Sequence, residues 1–334
     1  MIELKKSAPR SHRLVILSAA KNPRISLLLL LVLALLCANA PASAQKPASI
    51  DGAVSGQAIY NLTAQLLAVA PRRFNGSPGH LAAERFIKDH FKPEAAKGDF
   101  ETDQFTANTP VGPQTMRNFI VKYPGKRDGI IVLASHYETN YPLRDIDFVG
   151  ANDGACTTAL LISLGQYYRA HPPQGYSVWL VFDDGEEAVQ AWSASDSLYG
   201  TKHLAAKWYA DGTLKRIKAF IVADMIGYKD LSILQETQST PWLRSLLRQA
   251  AIDTHNSAYV FKTEAAEEDD HLPFLQRGVP ALDVIDVAYG PLDNQTGDYA
   301  YHHTPQDTLD KLSPQSLQVS ADLFLEMVRL INQR

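Results

Sequence analysis

Four acids and a glycine follow one apolar run, in the stretch Val181-Phe182-Asp183-Asp184-Gly185-Glu186-Glu187-Ala188. Residues 176–182 read as a buried strand, so its carboxyl end delivers more negative charge than core packing explains. Crowded carboxylates need a positive charge opposite them, and a metal ion is the leading candidate. The pair Glu186-Glu187 has its own logic. At a turn, one carboxylate can coordinate the metal while its neighbour stays free beside it as a proton shuttle, provided desolvation lifts its pKa toward the working pH.

Two more apolar runs end in polar residues. Residues 129–134 lead into Ser135-His136-Tyr137-Glu138, and 217–223 lead into Asp224. Asp153, Asp269 and His303 fall in loops. In open α/β sheets the ligand crevice lies at the carboxyl ends of the strands, so these groups are expected to converge. Three to five mixed imidazole and carboxylate donors suit Zn2+ better than the all-oxygen sites of Mg2+ or Ca2+. Singly, each residue has a plainer explanation. A lone His136 or His303 is more often a hydrogen-bonded structural histidine, Asp153-Gly154 an ordinary turn, Asp183-Asp184 a solvated rim, and 267–270 an exposed acidic loop. The constellation carries the argument.

The elements that position these groups alternate. Helices are expected over 59–70, 80–91 (with Leu81, Ala82, Phe86 and Ile87 on its apolar face), 155–170, 242–254 and 314–332. Strands are expected over 99–107, 116–123, 129–134, 176–182, 217–223, 259–261 and 280–284. Such alternation predicts a layered α/β domain with a largely parallel central sheet.

The N-terminus stands apart from that domain. Six basic residues precede an unbroken apolar run of 12 residues, 27–38, and Ala42-Ser43-Ala44 precedes Gln45. This is the pattern of a secretory signal peptide, and the run falls short of the roughly 20 residues that span a bilayer. The expected organisation is a signal peptide (1–44), a flexible lead-in (45–55) and one catalytic domain (56–334), exported to the periplasm or medium without stable membrane insertion. Six of the 32 Lys/Arg and one of the 36 Asp/Glu lie in 1–44, leaving 26 against 35, a net charge of −9. A chain this acidic, with no basic cluster, is a poor nucleic-acid partner. Of its two cysteines only Cys156 lies beyond residue 44, so the mature chain has no intrachain disulfide.

The order His-x-acid, Asp, Glu-Glu, Asp, His resembles the zinc-dependent aminopeptidase superfamily. Within it, the chain is most similar to the animal-type glutaminyl-peptide cyclotransferases, or glutaminyl cyclases. The matching stretches are Thr106-Ala107-Asn108-Thr109-Pro110-Val111-Gly112-Pro113, Asp184-Gly185-Glu186-Glu187-Ala188, Trp192-Ser193 with Asp196-Ser197-Leu198-Tyr199-Gly200, His203-Leu204-Ala205, and Asp269-Asp270-His271-Leu272-Pro273-Phe274-Leu275 with Arg277-Gly278-Val279-Pro280. The likeness runs from about residue 66 to the C-terminus. Its tryptophan-containing stretch is specific to the cyclases, whereas Asp-Gly-Glu-Glu is shared with the peptidases.

The resemblance implies a three-layer αβα sandwich around a mixed, largely parallel sheet. It also implies residue roles. Asp153, Glu187 and His303 would hold one zinc ion, with Glu186 as general acid and base. Asp224 and Asp269 match a hydrogen-bond network at the reacting group, and Trp192 lines the substrate pocket. His302 stands where the animal cyclases carry a pocket tryptophan. In the two-zinc peptidases the positions of His136 and Asp224 are ligands as well, so the residues present suffice for two ions. Further departures are Gly154 for serine, Glu138 for aspartate (still able to orient His136), Asp283 for histidine and Ser135 for a disulfide cysteine. The expected activity is conversion of the N-terminal glutamine of a peptide or protein into pyroglutamate with release of ammonia. The alternatives are a zinc aminopeptidase and a non-catalytic binding homologue.

Overall fold

The computed structural model describes residues 52–295 and 297–334. The expected signal peptide, and the lead-in as far as residue 51, lie outside them. The chain enters its main sheet through a hairpin, β1 (Phe100–Thr109) and β2 (Gly112–Tyr123), followed by β3 (Arg127–His136), β4 (Tyr176–Asp183) and β5 (Ile217–Asp224). β6 (Ile233–Glu236) and β7 (Val260–Ala265) pair in a separate parallel ribbon, and β8 (Ala281–Ile285) completes the main sheet. The spatial order is β1-β2-β4-β3-β5-β8. β4, β3, β5 and β8 run parallel, and the hairpin is added antiparallel at one edge.

Register decides where the chemistry goes. His136 pairs with Asp183 across β3 and β4, Ala134 pairs with Val222 on β5, and Asp224 pairs with Ile285 on β8. The three polar strand ends anticipated from sequence therefore lie side by side at one edge of the sheet.

Six principal helices flank it: α1 (Gly56–Val69), α2 (Pro78–His90), α3 (Cys156–Ala170), α4 (Tyr199–Ala210), α5 (Pro241–Asp253) and α6 (Pro314–Asn332). α1, α2 and α6 begin at serine caps, with Ser55, Ser77 and Ser313 accepting from the N–H groups of Ala58, His80 and Ser316, and proline opens α2 and α6. Alternation along the strands feeds two cores. Ile131 and Leu133 of β3 join the core under α1, α2, α3, α5 and α6. Ile130, Val132 and Ala134 join a smaller core under α4, where Phe220 stacks on Phe274 with ring centroids 3.7 Å apart. Burying each such side chain contributes about 1.5–3 kcal/mol. The result is an αβα sandwich, and the described residues pack as one unit. Among the described residues no helix is long and apolar enough to cross a membrane.

Three expectations need correction. The two N-terminal strands are longer than their apolar alternation suggests, and Thr106-to-Pro113 is their hairpin. β6 carries too short a pattern to have been anticipated. The apolar face expected for α2 holds only in part: Ile87 is fully buried and Ala82 and Phe86 pack against the core, but Leu81 is 42% exposed, while His80 and Glu84 turn inward. Those polar groups have partners. His80 Nε2 lies 2.9 Å from Asp184 Oδ1, and Glu84 Oε1 accepts from Arg117 Nη1 at 2.7 Å.

Candidate active site

The strand ends and three loops surround a cleft of about 680 Å3. Asp153, Glu186, Glu187, Trp192, Asp224, Asp269, His302 and His303 all line it. His136 lies buried just beneath, its Nε2 3.1 Å from Asp153 Oδ1 and 3.3 Å from Asp224 Oδ1. His303 Nε2 approaches Glu187 Oε1 at 2.9 Å and Asp153 Oδ2 at 3.3 Å. Asp153 thus faces two donor sets with its two oxygens, His303 and Glu187 on one side, His136 and Asp224 on the other.

Asp153 sits in the irregular turn Ala151–Ala155 that opens α3, where Gly154 takes φ +88°. A Cβ on Gly154 would come within 2.9 Å of His136 Cε1 and 3.0 Å of the Glu138 carbonyl oxygen. Glycine in place of the family serine is therefore what this packing of His136 requires.

Several residues that sequence reasoning passed over hold the site. Asp307 accepts the backbone N–H groups of Asn152 and Asp153 and the hydroxyl of Tyr289, at 2.8, 3.2 and 2.5 Å. Asn140 donates to Glu187 Oε2 at 2.6 Å. The guanidinium of Arg73, wholly buried, donates to the carbonyls of Tyr137, Val149 and Gly150 at 2.9, 2.8 and 2.9 Å, tying together the loops that carry Glu138 and Asp153. Burial lowers Arg73 to about 10 against the pull of Asp153 and Asp307. Each of these residues comes from a loop or a turn with no local signal of its role.

The expected helper Glu138 acts differently from the anticipated orientation of His136. Its Oε1 lies 3.8 Å from His136 Nδ1, beyond hydrogen-bond reach, and instead accepts the backbone N–H of Glu187 at 3.2 Å. Asp183 and Asp184 are not a solvated rim. Both are fully buried, and Asp184 accepts the Arg117 N–H at 2.7 Å as well as meeting His80. Asp269 and Asp270 are likewise buried rather than in an exposed loop.

Burial, with the charge of Glu187 beside it, pushes the Glu186 carboxyl well above the usual range, although the side chain is partly open to the cleft. Burial raises Asp269 to about 6, with Asp224 adding to it. At His303 burial opposes protonation, but Glu187 and Asp153 prevail and raise it to about 11. Trp192 is 40% exposed on the cleft wall, its Nε1 donating to Glu268 Oε2 at 2.9 Å. His302 packs its ring against His303 at 3.9 Å between centroids, and a nitrogen of each lies within 4.8 Å of an Asp153 oxygen.

The donor set fits a zinc ion. Asp153 Oδ2 is buried and, despite the nearness of His303, makes no geometrically sound hydrogen bond. His303 Nε2 bridges that oxygen and Glu187 Oε1, and all three residues line the cleft, so one imidazole and two carboxylates are available there, a donor set of the kind catalytic zinc sites use.

A model of peptidase family M28 matches residues 118–328. A glutaminyl-peptide cyclotransferase of Drosophila melanogaster is 30% identical over 282 residues, covering 75% of this chain and 76% of that protein. A bovine glutaminyl-peptide cyclotransferase-like protein is 33% identical over 241 residues, 64% of this chain and 62% of its own length. The crystal structure of an Acidobacteriales bacterium glutaminyl cyclase superposes with a TM-score of 0.84 at 67% identity, covering 87% of this chain and 98% of that one. With its sandwich fold and its Asp153, Glu187 and His303 gathered at the sheet edge, the chain belongs to peptidase family M28 and, within it, to the glutaminyl-peptide cyclotransferases.

Proposed function

We propose that the protein is an exported, zinc-dependent glutaminyl cyclase that converts N-terminal glutamine of peptides or proteins to pyroglutamate and releases ammonia. The observation that carries this reading is the cleft itself: Glu186 lines it beside, and outside, the contacts among Asp153, Glu187 and His303. Those three would hold the zinc, which when bound supplies Lewis-acid polarisation of the glutamine side-chain carbonyl. The α-amine nitrogen attacks the carboxamide carbon, the carbon–nitrogen bond of the amide breaks, and ammonia leaves. Glu186 takes the proton from the amine and returns it to the departing nitrogen, a shuttle suited to a carboxyl whose pKa is raised by burial. Asp224, Asp269, Trp192 and His302 line the same cleft, where the two acids would steady the departing nitrogen, Trp192 would wall the side chain and His302 would flank the opening. Substrates are peptide N-termini.

A second reading, zinc aminopeptidase, is favoured by one observation. His136, Asp153 and Asp224 place donor atoms within 4.8 Å of one another, enough for a second ion with Asp153 shared. Purified protein assayed on Gln-peptides and on aminoacyl-anilides, with zinc counted per chain, separates the two. Pyroglutamate with little anilide hydrolysis and one zinc is expected; rapid peptide-bond cleavage without cyclisation refutes the cyclase. Export by the leader 1–44 is checked by the intact mass of the exported chain, which should begin at Gln45.

A further inference from the structure

The cleft has an inner and an outer half. The inner half holds the reacting groups, and the outer half adds Trp192, Glu267, Glu268, Asp298 and Tyr299. Among the described residues no lysine or arginine lines either half, and the raised imidazole, His303, belongs to the inner one. Asp269, buried and with Oδ2 unpartnered, faces the same space and adds to its negative field.

Glu268 is placed by a specific contact. Its Oε2 accepts the Trp192 indole N–H at 2.9 Å, and its Oε1 has no hydrogen-bond partner among the described residues. Lys202 makes no hydrogen bond or ion pair with Glu268 and donates instead to the carbonyls of Ala194 and Ser197 at 2.8 and 2.7 Å. Ring closure fixes the N-terminal glutamine in the inner half. The next residue of the peptide, about 3.8 Å further along the backbone, then lies toward the exposed side of the cleft, the side that Trp192 and Glu268 line.

We propose that this outer half selects peptides carrying a positive charge on the residue after the N-terminal glutamine, with Glu268 and Glu267 as the reading carboxylates. The inference rests on the cyclase reading and names the substrate class of that site. Glu267 and Glu268 put charge of one sign on the exposed side of the cleft, which favours the opposite charge at encounter and repels its own.

The test compares kcat/KM for cyclisation of Gln-Lys, Gln-Ala and Gln-Glu peptides of otherwise identical sequence at low ionic strength. The expected order is Lys, Ala, Glu, with about a tenfold ratio between the first and last. That ratio should collapse to about twofold or less in the double variant Glu267→Gln, Glu268→Gln, whose amide oxygen at 268 still accepts from Trp192. It should also shrink in 0.5 M salt, where the Debye length falls to roughly 4 Å. Equal kcat/KM for the three peptides, or a ratio unchanged by the double variant, overturns the inference while leaving the cyclase reading intact. No pyroglutamate from any of the three removes that reading, and the inference with it.

Discussion

Glu186 and Glu187 are neighbours in sequence with different surroundings. Glu187 is fixed on both oxygens, by Asn140 and by His303, and its N–H is held by Glu138. Glu186 has no such anchors among the described residues and faces the cleft, which supports the proton-transfer role proposed for its carboxyl. Glu186→Gln is expected to lower kcat by roughly a hundredfold or more while the zinc content stays at wild-type level. Asp307→Asn makes the complementary prediction. An amide offers one acceptor oxygen where the carboxylate serves the N–H groups of both Asn152 and Asp153, so the Asp153 turn loosens. Zinc affinity, read by competition with a chelator, should fall about 10- to 100-fold, with kcat recovered at saturating zinc. An unchanged affinity would show that Asp307 does not set the ligand geometry.

The connection from β4 to α4 is built as a unit. Asp196 accepts the N–H groups of Val189, Gln190 and Ala191 at 2.8, 2.9 and 2.8 Å and the Tyr199 hydroxyl at 2.7 Å. These bonds, against the opposing effect of burial, hold its carboxyl below the usual range. Leu198 and Tyr199 close the other end through the carbonyls of Glu186 and Gly185. One carboxylate therefore shapes the turn on which Trp192 stands. Asp196→Ala should raise KM for Gln-peptides about tenfold, with a smaller change in kcat and unaltered zinc content, and Asp196→Asn should recover part of it. A KM that stays at the wild-type value in Asp196→Ala would mean that Trp192 is positioned by other contacts.

Across the whole molecule, buried acids make stability depend on pH. Asp286, fully buried after β8, is raised to about 6 by burial, against the N–H groups of Ser232 and Ala288 that favour its charged form. A carboxyl raised on folding binds more protons in the native state between its unfolded value, about 3.9, and its folded one. Its contribution to stability therefore falls as pH rises from about 4 to 6 and stays lost above that. Asp286→Asn should remove this part of the slope, on the order of 2–3 kcal/mol between pH 4 and 7, measured by denaturant unfolding at a series of pH values. Parallel pH profiles for the two proteins would contradict it.

The sequence by itself determined the sandwich and the edge at which chemistry occurs. Apolar runs ending in His136, Asp183 and Asp224 are local patterns, and strand periodicity and βα alternation are properties of short windows. The acids of the Glu186-Glu187 turn were visible for the same reason, and Trp192 and the stretch around it pointed to the cyclases. Only the tertiary structure decided which groups serve them. Asp307 reaches Asp153 across 154 residues, Arg73 reaches Gly150 across 77, and Asn140 reaches Glu187 across 47. Each of these residues has a side chain common in loops, and its role exists only once a distant backbone or carboxylate group is brought within 3.2 Å. Hydrophobic patterning is written along the chain because each element must bury its own face. The partners of a buried carboxylate are set by whichever loops the packed sheet brings beside it.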